Sequence, residues 1–297
     1  MNFGIAARLS LLLAAIVVLA AGLTGYYAYD VSRDIMIQSA KNELLTSTKV
    51  LARRLLLTRE EVSRNLAILS SHPAAISALQ GGNAAQLDQL AELFRLMMRA
   101  NPSYFQVRLI SARDNGLERV RIDRDGSELL RITGDDLQEK GHFAYVYDTR
   151  QLSAGQIYLS RFVINHERGA HSGLEQPTSQ LAMPVIDRNK NVLGVVVINV
   201  DLNGTFASLA ADLPKGFQLF LTNSHGDFLI HPDPAETFGF DKGRRVLVQD
   251  QFAATRNLVD GKAEQVLVEA RDGRYAESPV VAAFIARRIT VASEETQ

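Results

Sequence analysis

No cysteine occurs anywhere in the chain, which removes disulfide bridges, thiolate nucleophiles and Cys-type zinc sites from consideration together. That absence does not identify a compartment. Net charge is nearly lacking too, with 32 Lys and Arg against 33 Asp and Glu, so no global field draws the chain toward nucleic acid. The basic pairs Arg244-Arg245 and Arg287-Arg288 are too small for a nucleic-acid footprint. Neither a G-x-S-x-G elbow nor a Walker-type phosphate loop occurs. His166-Glu167 and His171 lack the four-residue histidine spacing of a zinc protease helix and surround Gly169, which suits a surface loop. His225, Asp227, His231 and Asp233 lie among Gly226, Pro232 and Pro234, a setting that fits a hairpin and loop better than a metal site. No catalytic residue, metal or cofactor is therefore expected.

What the chain does have begins with an apolar run. Between Arg8 and Asp30 there is no charged residue, and the stretch from Leu9 to Tyr29 includes LSLLLAAIVVLAAGL. At about 1.5 Å per residue it crosses a hydrocarbon core of roughly 30 Å. Tyr26, Tyr27 and Tyr29 at its far end have apolar rings with polar tips that suit the headgroup layer. A transmembrane anchor over 9–29 is expected, with residues 1–8 cytoplasmic and the chain outside from about residue 30. A secretory signal cleaved near Ala20 and Ala21 is the other reading, and it leaves the remainder on the same side. No later stretch is long enough to span a bilayer, since the most apolar, Val192 to Val200, contains Gly194 and Asn199.

From Val31 to His72 neither glycine nor proline occurs, and Ile35, Leu44, Leu45, Leu51, Leu55, Val62, Leu66 and Leu69 recur at helical spacing. One connector helix over 30–72, roughly 60 Å long, is expected to lie along a domain or a partner helix. Ser71-His72-Pro73 should end it, a short helix should reach Leu79, and Leu87 to Ala100 forms an amphipathic helix beyond Gly81-Gly82-Asn83. Alternation then takes over. Tyr104-Phe-Gln-Val-Arg-Leu-Ile and Leu117-Glu-Arg-Val-Arg-Ile, joined by Asp114-Asn115-Gly116, predict an antiparallel hairpin with a tight turn. Gln156 to Ser160, Leu181 to Ile186 and Val192 to Asp201 are further strands, and a short helical stretch leads to Pro214. A smaller second sheet is expected from Phe217 to Leu221, Phe228 to Ile230, Val246 to Val248, Gln265 to Glu269 and Val280 to Ile285. A chain of 297 residues with 46% hydrophobic residues can bury one good core or two smaller ones, and the class is α+β.

This order of anchor, long helix, large strand-rich domain and smaller strand-rich domain resembles the double Cache (tandem PAS-like, PDC) sensor region of bacterial histidine kinases, chemoreceptors and diguanylate cyclases. Tyr104-Phe-Gln-Val-Arg, Gly116-Leu-Glu-Arg-Val-Arg-Ile-Asp, Gly155-Gln-Ile-Tyr-Leu-Ser and Gly194-Val-Val-Val-Ile-Asn-Val-Asp look like first-domain strands of the histidine-kinase type. Gly226-Asp-Phe-Leu-Ile-His-Pro-Asp-Pro looks like the second-domain hairpin. The likeness runs from Asp30 to about Ile289. It implies a membrane-distal Cache domain at 73–210 and a membrane-proximal one at 211–297, in the periplasm of a bacterium, held by the inner membrane. It also implies a homodimer, a small-molecule ligand, and a second membrane helix leading to a cytoplasmic output module. No such helix is legible here, so the chain reads as the outer part of a receptor.

Along Leu117 to Asp123, strict alternation puts Arg119, Arg121 and Asp123 on one face and Glu118, Val120 and Ile122 on the other. Arg121 can face a pocket and hold a carboxylate bidentately, or stand solvated on the strand. The amino-acid-binding branch of the family carries an Arg-x-Trp-Tyr segment, then Tyr-x-Asp, then an Asp closing the last first-domain strand. The corresponding positions here read Lys140-Gly-His142-Phe143, then Tyr158-Leu-Ser160, then Asp201. Tyr158 and Asp201 match, the Trp has no counterpart, and Ser160 stands where an amine-pairing carboxylate is expected. Beside Arg121, which alternation suggests, the resemblance thus implies a site of Lys140, His142, Phe143, Tyr158, Ser160 and Asp201. Lys140 would pair with an anion, His142 and Phe143 would wall the pocket, and Ser160 would meet a neutral oxygen, which favours a small carboxylate over an amino acid. Tyr158 can equally be a core aromatic and Asp201 a strand-end cap. Two other readings stay open: a ligand-free dimerisation or protein-binding module, and an anchored periplasmic hydrolase using Asp187, His225 and His231.

Overall fold

The computed structural model describes residues 5–165, 176–270, 280–287 and 293–294. His166, Glu167, His171 and Arg288 lie outside the described residues.

Helix α1 runs unbroken from Ile5–Ser71, roughly 100 Å at helical rise. Its first part is long and apolar enough to cross a membrane and is not buried against the rest of the chain. Leu19 and Leu23 there are 65% and 69% exposed, a surface that water disfavours and acyl chains would cover. Farther on, the face bearing Val62, Leu66 and Leu69 is buried. The helix stops because Pro73 disfavours helical backbone at His72, whose φ of −67° and ψ of 134° are extended. His72 Nδ1 accepts from the Ala74 amide at 3.2 Å, and Pro73 opens α2, Pro73–Leu79. Helix α3, Ala84–Ala100, starts on a reciprocal capping box between Asn83 and Gln86.

Next comes a largely antiparallel sheet: β1 Tyr104–Ser111, β2 Glu118–Asp125, β3 Glu128–Ile132, β4 Tyr158–Leu159, β5 Val163–Ile164, β6 Pro177–Ile186 and β7 Val192–Asp201. Its spatial order is β4, β6, β7, β1, β2, β3, with β5 also on β6 and a short β12, Ser293–Glu294, pairing parallel with β4. One face carries Val107, Leu109, Val120, Ile122, Leu181, Val196 and Ile198 into a single core with α1, α2 and α3. The other face is covered by the 133–165 segment, including α4, Ala144–Tyr147, which builds a smaller apolar cluster there. Helix α5, Leu202–Ala211, follows β7 directly.

Beyond α5 the strands are short: β8 Leu221–Thr222 with β9 Phe228–Ile230, and β10 Gln265–Ala270 with β11 Val280–Ile285. Helices α6, Val248–Gln251, and α7, Arg256–Val259, lie between the two pairs. Phe220, Phe252 and Phe284 pack mutually around Phe228. The β10 and β11 pair lies along the anchor side of α1, where Arg33 and Lys41 both reach Glu269 at 3.4 Å. The large sheet packs against Val62 to Leu69, about 40 Å farther from the apolar span. The smaller sheet is therefore the one nearer the anchor.

Several expectations need correction. The β1 and β2 hairpin is joined by a 3-10 turn at Asp114–Gly116 rather than a two-residue turn, with Asp114 and Asn115 at φ of 52° and 53°. Strand β3 was not legible, because Glu128–Ile132 lies on an edge where only partial burial enforces alternation. The strand expected from Phe217 to Leu221 shrinks to Leu221–Thr222. Val246 to Val248 forms no strand; Leu247 makes a single bridge to Asp227, and α6 begins at Val248.

Candidate ligand-binding face

The face of the large sheet turned away from α1 is unusually polar for a buried surface. Strand β1 is buried at all eight positions, so both of its faces are covered. One face is apolar and the other bears Gln106 and Arg108. Opposite them across β2 stand Asp123 and Arg121, and across β7 stand Asn199 and Val197.

Glu118 joins this face through a bulge. Leu109 pairs with Val120 but Ile110 pairs with Glu118, so Arg119 is an extra residue in β2. A bulge reverses the alternation beyond it, which puts Glu118 with Arg121 and Asp123 and corrects the face assignment made from strict alternation.

The resulting network is buried and reciprocal. Arg121 forks onto Asp123, with Nε to Oδ1 at 2.8 Å and Nη2 to Oδ2 at 2.7 Å, and its Nη1 reaches Glu118 at 3.3 Å. Arg108 lies 3.4 Å from Glu118 and donates to the Tyr145 hydroxyl and to Asn199 Oδ1, both at 2.9 Å. Its guanidinium also sits 5.0 Å from the Tyr145 ring centre. Gln106 Nε2 donates to Asp123 Oδ1 at 2.9 Å, and the Gln138 amide donates to Glu118. Burial alone would lower the Arg121 pKa, but the hydrogen bonds and charges of Asp123 and Glu118 outweigh it and raise the value. Arg121 is 2% exposed, so the solvated reading is wrong, yet its fork is filled by Asp123 rather than open to a ligand carboxylate.

Most of the other expected residues gather beside this network. The close backbone approach of Gly116 and Gly141 seats the Lys140 loop on the hairpin: a Cβ at Gly116 would fall 2.4 Å from Gly141 N. Buried Lys140 places its ammonium 4.8 Å from the Phe143 ring centre. Phe143 lies 4.3 Å from His142 and stacks at 5.5 Å on Tyr145. Tyr158 shares an apolar cluster with Ile110, Tyr145, Val195 and Val197, with Phe143 against it.

Ser160 and Asp201 behave differently. The Ser160 hydroxyl accepts from the Gln180 amide at 2.8 Å and donates to the Arg161 carbonyl, so it bonds backbone at the β4 edge. Asp201 caps α5, accepting from the Asn203 amide at 2.8 Å, and lines a cleft between α1 and α5 with Arg54 and Thr58. In the second unit Asp227 is gripped by Arg245 through two bonds of 2.7 Å and by Asn223, while His231 packs against Phe220 and Phe228. Sequence reasoning did not single out Gln106, Arg108, Glu118, Tyr145 or Asn199. Arg108 between Val107 and Leu109, and Asn199 inside VVVINVD, carried a usable signal: polar residues within runs that must be buried.

An antiparallel sheet backed by a long N-terminal helix on one face, with a smaller sheet beside the same helix nearer the anchor, is the double Cache architecture of sensor domains. The chain belongs to the bacterial histidine kinase sensor domain family, whose model matches residues 36–252. A sensory box/GGDEF family protein domain from Vibrio parahaemolyticus is similar at 17% identity and a TM-score of 0.66, over 84% of this chain and 97% of that one. The sensor domain of the V. cholerae histidine kinase DctB matches at 18% identity and a TM-score of 0.54, over 83% and 92%. The ligand-binding domain of the Pseudomonas aeruginosa amino acid chemoreceptor PctC, in complex with GABA, matches at 15% and 0.50, over 72% and 82%. No curated protein matches.

Proposed function

We propose that the chain is the ligand-sensing region of a bacterial transmembrane receptor, anchored in the inner membrane by the start of α1, with residues from about 30 onward in the periplasm. The distal domain, 73–210, takes a small carboxylate on the sheet face covered by the 133–165 segment. The proximal domain, 211–297, and α1 carry the resulting shift toward the bilayer within a homodimer.

The observation that carries this reading is the buried charge network of Arg108, Glu118, Arg121 and Asp123 beneath the Lys140 loop. Such ion pairs add little net stability over apolar packing of equal volume, so their value lies in what they organise. Lys140 supports the carboxylate preference, since a buried ammonium beside an aromatic ring favours an anion. The shift can be no larger than the ligand's differential affinity for two states. The full chain in nanodiscs, melted by circular dichroism with and without panels of carboxylates, amines and sugars, tests the proposal. Stabilisation by a carboxylate that disappears in Lys140→Met is expected; a panel in which no compound raises the melting temperature would sink it.

A further inference from the structure

Two amide side chains on the polar face have half of their hydrogen-bonding capacity unmet. Gln106 and Asn199, direct cross-strand partners on β1 and β7, are 4% and 1% exposed. Gln106 Oε1 and Asn199 Nδ2 have no hydrogen-bond partner among the described residues. Thr178 Oγ1, on β6 and 1% exposed, shares that condition. Thr178 pairs with Asp201, two residues along β7 from Asn199, so it points to the same face. Three buried polar atoms on three adjacent strands are costly unless something meets them.

Their polarity is not adjustable. An amide is ordinarily able to flip, exchanging its donor and acceptor ends. Gln106 cannot do so cheaply, because its Nε2 donates to the Asp123 carboxylate at 2.9 Å and a flip would set oxygen against oxygen. Asn199 is fixed in the opposite sense, because its Oδ1 accepts from Arg108 Nη2 at 2.9 Å. The ion network therefore dictates that Gln106 presents an acceptor and Asn199 a donor. A carboxylate here would face the Gln106 carbonyl oxygen, and an ammonium would face the Asn199 amide hydrogens. A hydroxyl, with one hydrogen to give and two lone pairs to receive, satisfies both.

We propose that Gln106, Asn199 and Thr178 form a hydroxyl subsite, so that the sensed molecule is a hydroxylated small carboxylate whose hydroxyl end lies over the β1 and β7 pair. This rests on the sensor reading and sharpens its ligand class. The test is isothermal titration calorimetry on the full chain in nanodiscs with matched pairs, lactate against propionate and 3-hydroxybutyrate against butyrate. At least one hydroxylated member should bind about tenfold or more tightly than its deoxy partner, the loss expected when buried polar groups are left unmet. Gln106→Met and the near-isosteric Thr178→Val should each shrink that ratio toward one. Equal binding of both members overturns the hydroxyl subsite and leaves the sensor reading standing. Binding of neither overturns the hydroxyl subsite, the sensor reading then falling only if the wider panel also fails, and a crystal structure with ligand bound elsewhere and only water on Gln106 and Asn199 overturns the subsite alone.

Discussion

Replacing Asp123 by Asn tests whether the polar face is a coupled unit. Asp123 is fully buried and accepts three hydrogen bonds, two from Arg121 and one from Gln106. The Asn side chain keeps the shape but turns an NH2 group toward a guanidinium or the Gln106 amide, stripping Arg121 of its closest counter-charge. Removing one partner of a buried pair costs about 3–5 kcal/mol. At roughly 2–4 °C per kcal/mol for a unit of this size, the melting temperature should fall by about 10 °C. The double variant Arg121→Met with Asp123→Leu should recover part of that, because Glu118 keeps Arg108 and the Gln138 backbone amide while apolar atoms fill the vacated volume and only Gln106 Nε2 loses its acceptor. Urea unfolding of the parent, Arg121→Met, Asp123→Leu and the double variant closes the cycle that gives the coupling energy. A single-variant cost under about 1 kcal/mol, or a double variant no better than Asp123→Asn, would refute the picture of a tightly paired interior.

In the smaller unit, burial raises the Asp227 pKa, but the Arg245 and Asn223 hydrogen bonds outweigh it and hold the value below the usual carboxylate range. Its stabilisation is thus fully present above the unfolded value of about 3.9 and fades as pH falls through the folded value. Asp227→Asn should lower the urea midpoint at pH 7 and flatten its decline between pH 5 and 3; an unchanged acid limb would count against the pairing. Gly116→Ala places a Cβ 2.4 Å from Gly141 N at a φ of +75°, so the Lys140 loop must lift off the hairpin. Carboxylate affinity should drop at least about tenfold, more than stability does, as titration calorimetry and melting compared side by side will show.

Much of the scaffold was legible because it depends on local properties. Hydrophobic length fixes the apolar span, and the lack of glycine and proline from Val31 to His72 fixes the helix that leaves it. The strands beginning at Tyr104 and Glu118 were legible from side-chain alternation and those ending at Ile186 and Asp201 from apolar β-branched runs, although the third begins at Pro177, four residues before the expected Leu181. In the smaller unit the apolar Val246 to Val248 run is no strand: Leu247 makes a single bridge to Asp227 and Val248 opens a helical turn. Lys140, His142, Phe143 and Tyr158, expected from the order of motifs, come together beside the polar network, whereas Asp201 and Ser160 are held in capping and edge bonds.

By itself, then, the sequence determined a membrane-spanning length of helix, its rigid continuation and two strand-rich units, since each follows from the spacing of side chains along one backbone. Only the tertiary structure decided what the buried polar face of the large sheet is made of. One extra residue at Arg119 turned Glu118 inward, and that inversion let two arginines and two carboxylates close on each other. Their charges in turn fixed the orientation of the Gln106 and Asn199 amides, a consequence of long-range pairing that no local pattern encodes.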